Sequence, residues 1–113
     1  MSNLAAQPVD AGLFYPTQGE SDARLTVDAT TGGVQFAVWG MQVTHIFYTV
    51  ETAQCRFTVD GSAPTATNGH VLEAGDNGIW PHAWFAGAKF IRTGGTSAVI
   101  HASPLTESGG YRQ

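Results

Sequence analysis

Charge is scarce in this sequence. Of its 113 residues only 12% are Asp, Glu, Lys or Arg, against roughly a quarter in ordinary soluble domains. The five basic residues, Arg24, Arg56, Lys89, Arg92 and Arg112, form no cluster, and the net charge is −4. Nucleic-acid binding needs a basic patch that neutralises phosphates. Anionic membrane surfaces need the same. Neither partner is expected. One cysteine, Cys55, is present, so an internal disulfide is excluded. A small secreted domain usually carries a disulfide framework. Residues 1–10 have no basic start and no apolar core of the kind a secretory leader requires. Synthesis in a reducing compartment is therefore expected. No run of about 18 apolar residues exists, so no membrane-spanning helix is expected. No segment sustains a 3.6-residue apolar period, so no long helix is expected either.

What remains is β-forming. Val43–Val50 is almost wholly β-branched or aromatic, and both of its faces are largely apolar. That predicts a strand in the middle of a sheet or at an interface. Shorter strands are predicted at Arg24–Asp28, Val34–Trp39, Gln54–Val59, His70–Glu73, Ala88–Arg92 and Ser97–Ala102. In Gln54–Val59 the alternation aims Cys55, Phe57 and Val59 one way and Arg56 and Thr58 the other. Thr30–Gly33 and Asp60–Gly61 read as turns. Thr93–Thr96 reads as the loop of a terminal hairpin. Ile79–Trp84 is aromatic but interrupted by Pro81, which suits an edge strand or loop.

Seven or eight short strands at this spacing predict one all-β domain, a β-sandwich or small jelly-roll-like barrel of antiparallel strands. Its core is expected to hold Phe36, Val38, Ile46, Tyr48, Phe57, Leu72, Phe90 and Val99. The domain is placed at residues 22–103. Residues 1–21 read as an extended arm, and 104–113 as a polar tail. The patch Leu13-Phe14-Tyr15 is too apolar for a free tail, so it is expected to dock.

No enzyme site is legible. His45, His70, His82 and His101 lack close ligand spacing, and no metal or cofactor is expected from them. Cys55 sits on an apolar-alternating strand and reads as a buried residue. Glu73 and Asp76 flank a glycine turn, where carboxylates cap backbone amides. The paired glycines at 32–33, 94–95 and 109–110 lack the Lys and helix of a phosphate loop. Trp80, Trp84 and Phe85 have two readings: packing in core and interface, or stacking on a sugar or peptide.

The stretch Cys55–Asp76 carries the pattern Asp-Gly-Ser-x-Pro-Thr-Ala and then Gly-His-x-Leu-x-x-Gly-Asp. It continues into Phe90-Ile91-Arg92 and a Gly-Thr turn. Over roughly residues 53–102 this resembles small β-rich structural proteins encoded near capsid genes of tailed bacteriophages. The resemblance implies a capsid decoration or cement protein on the virion surface, made in the host cytoplasm. It further implies the major capsid protein as partner and a homo-oligomer, with a trimer favoured. Leu13, Phe14, Tyr15, Trp80, Trp84 and Phe85 are the expected interface residues. The other readings are a tail, fibre or head-tail accessory protein, or a carbohydrate-binding β-module.

Overall fold

The computed structural model describes residues 13–108. The parts of the expected arm and tail at 1–12 and 109–113 lie outside them. The chain forms β1 (Phe14–Pro16), β2 (Ala23–Val27), β3 (His45–Glu51), β4 (Cys55–Thr58), β5 (His70–Leu72), β6 (Asn77–Pro81), a short helix α1 (His82–Gly87), β7 (Lys89–Arg92) and β8 (Ala98–Glu107). The fold is all-β, with two antiparallel sheets. The first runs β1-β8-β3-β6, with β2 also paired to β8. The second runs β5-β4-β7.

β3 lies between β8 and β6, the internal position its two apolar faces predict. Period-two alternation sends Ile46, Tyr48 and Val50 into the core. Their cross-strand partners on β8 are Pro104, Ala102 and Ile100, and the small Ala102 makes room for the Tyr48 ring opposite. From the second sheet come Cys55, Phe57, Leu72 and Phe90. Phe36, Tyr48, Trp80, Phe85 and Phe90 join Phe57 in one aromatic cluster, with neighbouring ring centroids 4.8–6.0 Å apart.

Several expectations are corrected. Val34–Trp39 is not a strand. Val34 makes one bridge to Phe90, through N–H···O bonds of 2.8 and 2.9 Å, and the chain then leaves the second sheet. Trp39 Nε1 donates to Ser21 O at 3.0 Å beside the first sheet. A segment that crosses between layers cannot stay in one ladder. It plugs Phe36 into the core and leaves Val38 73% exposed. Val99 is half-buried and points away from the core, because Ala98, Ile100 and Ala102 take the inward positions of β8. Thr58 is buried although alternation aimed it outward, and Val59 is exposed.

The expected hairpin at Thr93–Thr96 is a corner between sheets. β7 pairs with β4 and β8 pairs with β3. Arg92 Nη1 donates to Ser97 Oγ across this corner at 3.3 Å.

The sheet also extends past residue 103. β1 pairs with Leu105–Glu107, and β2 with Ala98–Ala102. Pro104, which lacks an amide donor, falls where the edge partner changes from one strand to the other, a place that tolerates proline. The described part of the expected arm is thus docked on the domain's own last strand. Thr17 Oγ1 and Thr106 Oγ1, 2.9 Å apart, tie it further.

Candidate functional site

Two surfaces stand out. The first is one half of the outer face of the five-stranded sheet. Residues that are paired in register share a face, so Phe14, Pro16, Leu105, His45, Pro81, Phe47, Ile79 and Ser103 lie together on the outward side. Phe47 and Ile79 are cross-strand partners, 38% and 44% exposed. Phe14 packs edge-on against His45 with centroids 4.8 Å apart. The loop before β3 flanks this half, through Thr106 Oγ1 to Gln42 O and Thr44 N to Leu105 O. Met41 on that loop is almost fully exposed, and Leu13 and Tyr15, which point to the opposite side of the sheet from Phe14, are more than half exposed. Glu107 closes the border. The other half of the face is polar. His101 Nε2 meets Asp22 Oδ2 at 3.0 Å, and Arg24 meets Glu51 at 3.4 Å. One sheet face is therefore divided into an apolar end and an ion-paired end.

The second surface is a groove at the side of the sandwich, between α1 and the β4–β5 pair. Its apolar part, about 340 Å³, is lined by Phe57, Val59, His70, Val71, Leu72 and Trp84. It continues, through Val59 and His70, into a polar cleft of about 450 Å³ with Thr58, Asp60, Ser62 and Asn68 on its walls. The loop from Val59 to Gly69 is held in place. Arg56 donates to Ala66 O and Gly69 O at 3.1 and 2.7 Å, and Lys89 Nζ donates to Gly61 O at 3.0 Å. Thr65 and Asn68 exchange backbone bonds. Gly69 has φ 130°, and a Cβ there would meet Phe57 O at 2.9 Å, so only glycine fits this close approach. Asp60 Oδ1 accepts from Ser62 N and Ser62 Oγ at 3.0 and 2.6 Å. The Ser62 hydroxyl first, and its amide second, hold the Asp60 carboxyl below the usual carboxylate range.

The expected interface residues divide. Of the first three, Phe14 lies on the apolar outer face, whereas Leu13 and Tyr15, one position to either side of it, point to the opposite side of the sheet. Trp84, 49% exposed, lines the groove. Trp80 is half-buried and packs its ring against Tyr48, Phe57 and Phe85. Phe85 is fully buried, which removes it from the surface. The turn of helix after Pro81 explains the difference between neighbours: Phe85 faces the core and Trp84 faces out. Met41, Phe47 and Ile79 were not singled out from sequence. The apolar outer side of Val43–Val50 was the available signal for Phe47.

The histidines are dispersed. His45 lies against Phe14. His70 borders the groove, with its ring 5.2 Å from that of Phe57. His82 Nδ1 is 3.1 Å from Val43 O, and His101 pairs with Asp22. Among the described residues no three His, Cys, Asp or Glu side chains converge as metal ligands do. Cys55 is buried. Burial, with the Asp76 charge adding to it, pushes its thiol up to about 12, which disfavours the nucleophilic thiolate.

No family model, curated protein or solved structure matches this chain.

Proposed function

We propose that this chain is a structural protein of a tailed-phage virion, of the capsid-decoration type. It acts by binding alone. The carrying observation is the divided sheet face: an apolar end built from Phe14, Phe47, Ile79 and Leu105. Contiguous exposed apolar surface with a polar border is the usual mark of a protein–protein contact. The resemblance of Cys55–Asp76 to phage structural proteins and the low charge support the same reading. The proposed partners are the major capsid protein and further copies of this chain, a trimer being favoured. Each subunit need bind only modestly, because an oligomer that engages several capsid sites gains avidity. A bound shell resists opening by mass action, since opening must break those contacts.

The test uses capsids stripped of the protein and then reloaded. Reloading with the wild type is expected to raise the temperature of DNA release. The double variant Phe47→Asp, Ile79→Asp is expected to stay folded and to fail to rebind. Cryo-electron microscopy of the particle gives the position directly. Density at the tail, or no change in release temperature on reloading, rejects the cement role.

A further inference from the structure

We propose that the groove between α1 and the β4–β5 pair is a binding site for a neutral glycan. The site is separate from the apolar sheet end, so this inference and the virion reading can fail independently.

Three features of the groove fit a sugar better than a purely apolar ligand. The first is the indole of Trp84. It is half exposed, yet its ring is braced edge-on by Trp80 at 5.8 Å and 68°. Its helix is anchored through the fully buried Phe85 beside it. A braced, exposed indole offers a flat apolar platform at little entropic cost, and the C–H face of a pyranose stacks on such a platform. The second is the polar wall that follows immediately. Asp60 uses Oδ1 on Ser62, and its Oδ2 has no hydrogen bond among the described residues. The Asn68 amide and the His70 ring have no side-chain hydrogen bond to the described residues, and both line the cleft. Carboxylate, amide and imidazole together offer the donors and acceptors that the hydroxyl rim of a sugar requires. The third is rigidity. The loop carrying Asp60 and Asn68 is tied by Arg56 and Lys89, so the polar groups are placed before a ligand arrives.

Charge narrows the class. The Asp60 carboxylate is held ionised by Ser62. Uronic or sialic acids set against it would be repelled, so a neutral saccharide is the fitting ligand. The apolar part beside Val59 and Leu72 leaves room for the methyl of an acetamido group, so an N-acetylhexosamine oligomer belongs among the neutral probes.

The experiment is a titration of ¹⁵N-labelled full-length protein with chitotriose, maltotriose, lactose and sialyllactose, read by NMR. The indole peaks are assigned by substitution of each Trp. Chitotriose is expected to shift the Trp84 indole and the Asn68 and His70 amides, saturating in roughly the millimolar range typical of one-sugar sites. The Trp39 indole, engaged with Ser21 O, is expected to stay put. Trp84→Ala is expected to weaken binding about tenfold or more, and Asn68→Ala by several-fold, with both variants folded by far-UV circular dichroism. No shift with any neutral sugar overturns the proposal. Binding that survives Trp84→Ala overturns it too, as does sialyllactose binding as well as lactose. A capped Thr-Val tetrapeptide that moves the β5 amides while no sugar does would make the groove a strand-docking edge, and the glycan assignment falls.

Discussion

Truncation of Phe85 separates the core role of this residue from the interface role its sequence context suggests. Its ring is fully buried and touches four others: Phe36 at 5.3 Å, Tyr48 at 5.7 Å, Trp80 at 4.9 Å and Phe90 at 5.9 Å between centroids. Phe85→Ala removes a ring from the point where the two sheets and α1 meet. The surrounding rings belong to two different sheets and cannot all collapse inward. The cost should therefore lie at about 3–5 kcal/mol, as for other buried Phe-to-Ala changes. A domain of this size has about 5–15 kcal/mol in total, so the variant loses about a fifth of it or more. At about 4 °C per kcal/mol, Tm falls by about 12–20 °C. Trp84→Ala, one residue away but half exposed, should cost no more than about 1 kcal/mol. Urea titrations followed by tryptophan fluorescence and by circular dichroism measure both. Equal losses for the two variants, or a loss below about 1 kcal/mol for Phe85→Ala, would refute the assignment of Phe85 as the keystone of the core.

Other perturbations follow from the same geometry. Thr52 has φ 81° between β3 and β4, and Ala53 N bonds back to Glu51 O at 2.9 Å. A β-branched residue is strained in that turn, so Thr52→Gly should raise stability by up to about 1 kcal/mol, read as a higher urea midpoint at unchanged slope. Cys55 keeps its proton in the folded state up to about 12, whereas the exposed thiol ionises near 9.0. Its contribution is complete below pH 9.0 and is lost as pH rises towards 12. The native thiol should react with a thiol reagent only as fast as the protein opens, and Cys55→Ala should flatten the alkaline loss of stability. The Asp60 carboxyl is held below its ordinary 3.8 by Ser62, so its contribution is present above that value and disappears as pH falls through the lower folded value. The stability gap between wild type and Asp60→Ala should narrow in acid, and a gap that is constant from pH 7 to pH 2 would contradict the hydrogen-bond account.

Sequence pattern reached furthest where local periodicity and tertiary position agree. Val43–Val50 declares an internal strand because both its faces are apolar, and β3 is internal. The turns at Gly33 and Gly61 are legible because both need positive φ. Pattern misled where one segment serves two layers. Val34–Trp39 has strand composition, but its apolar residues face different neighbours: Phe36 the core, Trp39 the Ser21 carbonyl, Val38 the solvent. Thr93–Thr96 has hairpin chemistry, yet nothing local states that the flanking strands belong to different sheets. Pro104 looks like the end of a strand, and only the exchange of β2 for β1 along β8 makes it tolerable there. The groove was half legible. Trp84 stands out beside Pro81, but Asp60, Asn68 and His70 read as turn and short strand. They join the groove that Trp84 lines only because Val59 and His70 border both its polar and its apolar part.

The folded core also changes what the aromatic surplus means. In the sequence, abundant Trp, Tyr and Phe together with scarce charge suggest a surface made to be covered. In the structure half of those twelve rings have an interior function. Phe36, Tyr48, Phe57, Trp80, Phe85 and Phe90 form a single cluster that holds the two sheets together, and a domain this small needs such a cluster because it buries a modest share of its surface. Aromatic content alone is thus no argument for assembly. The scarcity of charge is a different matter, since core packing does not require an outer sheet face to lack it. The ion pairs of the outer face sit at one end, and Phe47, Ile79, Leu105 and Phe14 hold the other. Cross-strand pairing by itself rewards an exposed Phe–Ile pair with only about 0.2–1 kcal/mol. The cross-strand pair Phe47–Ile79 is therefore the sharpest argument for a covered face, and replacing it should leave the aromatic core intact while it removes binding.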